Sequence, residues 1–362
     1  MSVASTHIGS FVFPSLKGTL PHGFATSGRG EERCLLNLAC YLSNLGYCVY
    51  INAKPSSWKN GESLPANVYL ISDLPDGCPY ITITYASENP SYISDSNCVL
   101  KLWYRFDCKK YLLDAKTVIA HTYNTGIRYN CFMKTYQKNK FVFLPYVVPY
   151  LIGQDCKFDN KILLWSLCGG LYPCSTDSSV PKAVIEWVSS KLEQCPNMEF
   201  YVLTGALPQI SERYLKEIAS SPLFLKYLHR FKERVHLVEN IPYDSVLSLI
   251  QRSKMVINVR NFDHSFGGAP IEAALAGIPT VNYNRNGHFS AIPGALETAQ
   301  KDNIVTYIKL LDRLFLDRSY FFEMGEKYRE HAEKLFSGSY TVSQMKQICA
   351  AHGISLLEPT SA

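Results

Sequence analysis

The chain has 362 residues, 47% of them hydrophobic and 13% aromatic, with 36 basic against 31 acidic side chains and a net charge of +5. That length exceeds one ordinary core and predicts two domains, while the apolar content excludes a disordered chain. The small, dispersed positive surplus falls short of a nucleic-acid footprint and suits an anionic small ligand.

The chain opens with an apolar run over 8–13, a predicted first strand ended by Pro14. A glycine loop holding Gly28 and Gly30 follows, then Leu35, Leu38, Ala39, Leu42 and Leu45 at helical spacing, then Gly46 and a strand over 47–51. Strand, glycine loop, helix, strand is the opening unit of a parallel sheet. Short β-branched or aromatic runs at 68–71, 81–85, 99–103, 117–120 and 141–144 continue the pattern of buried parallel strands. Residues 145–159 are rich in Pro, Gly and polar side chains and read as a linker, with the domain boundary near Tyr150.

The second half repeats the plan. Strands are expected at 161–167, 199–203, 234–238, 255–259 and 278–283, and helices at 183–192, 243–252 and 271–276. Residues 302–336 carry apolar positions at i, i+3 and i+4 and predict two surface helices. The twelve cysteines show no C-x-x-C pair and no zinc spacing, which predicts reduced, mostly buried thiols and a cytoplasmic location. No run approaches the length of a membrane span, and the first residues do not have the pattern of a signal peptide.

One stretch organises this scheme: DHSFGGAPIEAALAGIPTV, residues 263–281. An apolar strand leads into a polar loop, the glycine pair Gly267 and Gly268, a short helix, and a stop at Gly277 and Pro279. A glycine pair at a helix start lets phosphate oxygens approach bare backbone N–H groups, and the helix dipole favours their charge. Glu272, one turn into the helix, can accept two hydrogen bonds from a ribose diol. The competing reading is a generic α/β turn bearing a surface glutamate.

The stretch resembles the donor-site signature of glycosyltransferase family 4, retaining enzymes with two facing nucleotide-binding-type domains. SFGG, Glu272 and the run Ala274, Ala276, Gly277 and Pro279 carry the resemblance, which covers nearly the whole chain and is strongest at 26–51 and 234–283. The resemblance implies an α/β protein of two facing Rossmann-like domains, the glycosyltransferase type B fold, with a deep interdomain cleft. Residues 1–150 would form the acceptor-side domain and 151–362 the nucleotide-sugar domain, with the last helix packing back on the first. It further implies a metal-independent transfer from a nucleotide sugar, GDP-mannose ahead of UDP-glucose, to a glycan, lipid or protein-linked glycan acceptor. No cofactor is implied beyond the donor, and contact with a membrane surface is compatible with lipid-linked acceptors.

Role by role, the resemblance gives Glu272 the ribose, the Gly267 and Gly268 turn the donor phosphates, and the Gly28 and Gly30 loop the donor phosphates or the acceptor. Tyr243 follows the predicted base-binding loop and would stack on the base. The family's first signature glutamate is replaced by His264, which can bind a sugar hydroxyl or carry positive charge near phosphate. Lys182 matches the family's phosphate-binding lysine. The family's arginine is absent from residues 163–170, and Arg260, ending the strand before the glycine turn, is the substitute expected from the sequence. His121 is the histidine closest to the family's catalytic-site histidine, whose place holds Trp103, Tyr104 and Arg105. No paired carboxylates for a diphosphate-bound metal are visible, so fixed positive groups must offset the leaving diphosphate. Two alternatives remain: a catalytically lapsed nucleotide-sugar-binding protein, and a non-hydrolysing sugar-nucleotide epimerase.

Overall fold

The computed structural model describes residues 6–14, 30–52, 66–84, 96–103, 116–121, 141–145, 147–148, 157–166, 179–203, 216, 219–238, 241, 243–260, 268–284 and 304–357. The chain divides into two compact units, Met1–Pro149 with Leu335–Ala362, and Tyr150–Lys334.

The first unit is built on a seven-stranded parallel sheet. Its strands are β2 (Ser10–Phe13), β3 (Cys48–Ile51), β4 (Val68–Leu70), β5 (Tyr80–Thr84), β6 (Cys98–Trp103), β7 (Thr117–His121) and β8 (Phe141–Phe143), in the order β4-β3-β2-β5-β6-β7-β8. Phe11, Phe13, Val49, Ile51, Ile81 and Ile83 are all fully buried, as strands covered on both faces require. Helix α1 (Gly30–Asn44) follows β2 and buries Leu35, Leu38, Ala39 and Leu42 of the stripe read from helical spacing, together with Leu36, while Leu45 lies past its end and is partly exposed.

The run expected as one strand over 8–13 is two. β1 (Thr6–Ile8) leaves the main sheet at Gly9 and pairs with β14 (Ile354–Leu356). The ladder changes hands there: the Ile8 carbonyl accepts from the Leu357 N–H at 2.8 Å, and the Gly9 carbonyl from the Cys48 N–H at 2.9 Å. The run at 68–71 also closes early, because Ile71–Asp73 turns as a 3-10 helix after β4.

The second unit holds a five-stranded parallel sheet. Its strands are β9 (Ile162–Ser166), β10 (Glu199–Leu203), β11 (Val235–Val238), β12 (Ser253–Arg260) and β13 (Thr280–Asn284), in the order β11-β10-β9-β12-β13. Helix α2 (Ser179–Gln194) follows β9, α3 (Pro222–Tyr227) lies between β10 and β11, α4 (Tyr243–Gln251) precedes β12, and α5 (Gly268–Leu275) joins β12 to β13. Two helices then follow, α6 (Ile304–Leu316) and α7 (Arg318–Phe336), over the span that predicted a pair. Helix α8 (Ser339–Ala351) follows and was not read from the sequence. It belongs to the first unit, where the buried Thr341 hydroxyl donates to the Pro145 carbonyl at 2.9 Å.

The described cysteines are free thiols. Burial pushes the Cys40 and Cys349 thiols up to about 12, so at neutral pH both act as small apolar side chains. No helix among the described residues is long and apolar enough to cross a membrane.

Candidate nucleotide site

In the second unit β10 and β11 succeed β9 on one side, while β12 and β13 lie on its other side. The winding direction reverses between β9 and β12, and open α/β sheets bind ligands beyond the carboxyl ends of the strands at that reversal. Ser166 ends β9 and Arg260 ends β12, and the helices α2 and α5 begin beyond these two ends.

Helix α5 starts at Gly268 and has Pro270 in its first turn, where a missing N–H costs nothing. The first-turn N–H groups of Gly268, Ala269 and Ile271 have no partner within the helix ladder and form the positive end of its dipole. The helix ends in a Schellman cap. The Gly277 N–H donates to the Ala274 carbonyl at 2.9 Å, and the Ile278 N–H to the Ala273 carbonyl at 2.8 Å. Gly277 sits at φ 70°, a left-handed conformation open to glycine at little cost.

The helix is buried around its whole circumference: Ala269, Ile271, Ala273, Ala274, Leu275 and Ala276 are each at most 2% exposed. Glu272 lies among them at 2% exposure. The reading of Glu272 as a surface glutamate is therefore excluded. Burying an ionised carboxylate costs several kcal/mol unless hydrogen-bond donors meet it. A carboxylate held at this depth, on the helix that follows the reversal point, is the strongest chemical feature of the edge.

Lys182 lies in the first turn of α2, with a half-exposed side chain. Its Nζ stands 3.9 Å from the Glu186 carboxylate, an exposed i,i+4 pair worth a few tenths of a kcal/mol. Glu186 also accepts a hydrogen bond from the Tyr227 hydroxyl at 2.6 Å. The lysine is thus available to an anion at small cost in lost pairing.

The other expected residues divide by position. Gly30 starts α1, Tyr243 starts α4, and Arg260 pairs with Asn284 in the β12–β13 register. His121 is the last residue of β7. Gly28, His264 and Gly267 lie outside the described residues. Among the described residues, no group of three or more His, Cys, Asp or Glu side chains is placed to hold a metal ion.

Two supports of this edge were not read from the sequence. Lys191 on α2 is buried, with its Nζ 2.7 Å from Asp312 on α6, and the Trp187 indole N–H donates to the same carboxylate oxygen at 2.8 Å. Gly325 on α7 meets the backbone of Gly277. An isolated glycine inside a helical pattern was the available signal for the second.

Solved structures match this architecture over almost its full length. A glycosyltransferase from Rickettsia africae ESF-5 superposes with a TM-score of 0.62 at 13% identity, covering 94% of this chain and 97% of that one. Sucrose-phosphate synthase (tll1590) from Thermosynechococcus elongatus gives 0.61 at 14% identity, covering 94% and 98%. Anabaena Alr3699/HepE, in complex with UDP and glucose, gives 0.59 at 11% identity, covering 95% and 100%. The fold is glycosyltransferase type B. At these identities the likeness is one of fold. No protein-family profile matches the sequence, and no curated protein matches it. In this fold each unit is a Rossmann-like domain, which accounts for two parallel sheets whose first strands lie inside the sheet and whose order turns back around them.

Proposed function

We propose that the protein is a glycosyltransferase that moves a hexose from a nucleoside-diphosphate donor to a glycan or glycoconjugate acceptor. The observation carrying this reading is Glu272, a buried carboxylate on the short helix beyond the reversal point of the second sheet, within a type B fold. The finer reading is a retaining, metal-independent enzyme of the family 4 kind, acting in the cytoplasm. Residues Tyr150–Lys334 supply the donor side and the first unit the acceptor side.

The chemistry follows from the edge. Glu272 accepts hydrogen bonds from the ribose hydroxyls, and α5 presents its first-turn N–H groups to a phosphate. Lys182 and Arg260 offset the charge that develops on the departing diphosphate, so their contribution is largest in the transition state. His264, standing where the family has a carboxylate, contacts the transferred sugar. Retention follows attack from the face that the diphosphate leaves, with the leaving phosphate assisting removal of the acceptor proton.

GDP-mannose is the first donor to test and UDP-glucose the second, the latter also prompted by the UDP and glucose in the HepE structure. The test is release of nucleoside diphosphate and formation of glycoside from a donor panel, with and without acceptors, followed by the anomeric configuration of the product. Acceptor-dependent release with retained configuration is expected. Donor binding without turnover would instead favour the lapsed binding protein, and conversion of free donor without acceptor would favour the epimerase.

A further inference from the structure

Gly325 of helix α7 lies against the turn that caps the site helix. A Cβ built on Gly325 would lie 2.3 Å from the Gly277 carbonyl oxygen, 3.3 Å from its carbon and 3.8 Å from Pro279 Cδ. Gly277 is the residue that caps α5, and Pro279 leads from that cap into β13. The contact therefore fixes the C-terminal end of the helix that carries Glu272. From there the reference is rigid: the Ala276 N–H donates to the Glu272 carbonyl at 3.1 Å, and the two Schellman bonds lock the cap behind it.

We propose that Gly325 is a positioning residue for the nucleotide site, setting the seat of α5 and through it the place of the Glu272 carboxylate. The inference rests on the glycosyltransferase reading of that site. Its physical content is a displacement. An ordinary carbon–oxygen separation is roughly 3.3 Å or more, so a methyl group at Gly325 demands a shift of about 1 Å somewhere along this contact. Lifting α7 would unseat Phe321, Met324, Tyr328 and Ala332, all at most 3% exposed. Helix α5 is eight residues long and ends at the clash itself. Whatever part of the displacement the Gly277 cap takes up tilts α5, and that part moves Glu272. A misplacement of about 1 Å lengthens the Glu272 hydrogen bonds to a ligand beyond their ordinary range.

The test is nucleotide affinity, measured by calorimetry with free UDP and GDP, for four proteins: the parent, Gly325→Ala, Glu272→Gln and the double variant. Thr341→Val serves as a stability control, because it removes a buried hydrogen bond within the first unit, to which α5 does not belong. Gly325→Ala is expected to weaken nucleotide binding at least tenfold, while Thr341→Val lowers the melting temperature without changing affinity. If Gly325 acts through Glu272, the double variant binds no more weakly than Glu272→Gln alone, since coupled residues are not additive. Gly325→Ala binding as tightly as the parent overturns the inference, as does an additive double variant. A parent that binds neither nucleotide overturns the proposed function itself, and the inference with it. Should Gly325→Ala fail to fold, amide exchange on the parent decides. Saturating nucleotide should slow exchange in segments 268–279 and 321–328 together, and protection confined to the first segment contradicts the coupling.

Discussion

Helices α2 and α5 flank the same carboxyl edge of the second sheet and are held there in opposite ways. Helix α2 has 16 residues and keeps a solvent face; its interior side buries Val184, Val188 and Leu192 and adds the Lys191–Asp312–Trp187 contacts, with the Lys191 ammonium 5.6 Å from the Trp187 ring centroid. Helix α5 has eight residues, no solvent face, and an end fixed by a Schellman cap and a glycine contact. Polar anchoring leaves α2 free to present a mobile cation, Lys182, at little energetic cost. Burial leaves α5 with one ionisable side chain, Glu272, held in one place. On the proposed function, recognition by fixed geometry falls to α5 and charge compensation during the reaction to α2.

The largest effect that would break this contrast is on the α2 anchor. Asp312→Ala leaves the Lys191 ammonium buried and removes the acceptor of the Trp187 N–H. Removing one partner of a fully buried pair costs about 3–5 kcal/mol. Because Asp312 is 41% exposed, solvent screens the pair and about 2 kcal/mol is expected. Denaturant midpoints check it, and a loss below about 0.5 kcal/mol, the size of an exposed pair, would show that α2 is anchored otherwise.

Comparable in size is overpacking of α5. Ala273 is fully buried, so Ala273→Leu adds volume inside the core. A loss of about 1–3 kcal/mol is expected from urea unfolding. The same substitution tolerated without loss would mean that α5 can shift, which contradicts a fixed carboxylate.

Smaller, and read in turnover rather than stability, is Lys182→Ala. A tenfold fall at saturating donor is expected, about 1.4 kcal/mol in barrier, with Arg260→Ala similar or smaller. Unchanged turnover in both would move the compensating charge to His264. The smallest effect is expected from chelation: activity should persist in EDTA, and complete loss restored by manganese or magnesium would replace fixed cations with a bound metal.

Both sheets were legible because their strands are short β-branched or aromatic runs separated by turns, and the structure moves most of their ends by a residue or two. The 8–13 run was not, since nothing local to Gly9 announces a partner strand at the far end of the chain. Helix α8 buries Thr341, Val342, Met345, Ile348 and Cys349, but the apolar stripe read from the sequence stopped at 336, before this face begins. In the site, the glycine–proline punctuation around α5 was visible, whereas the burial of Glu272 was not. A glutamate on a short helix reads as exposed until the helix is found to be covered on all sides. Gly325 showed only as an isolated glycine in a helical pattern, and its meaning lies in a residue 48 positions away, Gly277.

The most direct test of the central claim is calorimetric titration of the parent and Glu272→Ala with free UDP and GDP. If a buried carboxylate at the sheet reversal holds the ribose, the parent binds at least one nucleotide, and the variant loses about 1.5–3 kcal/mol of affinity for it. A variant that stays folded and binds both nucleotides as well as the parent would contradict the account.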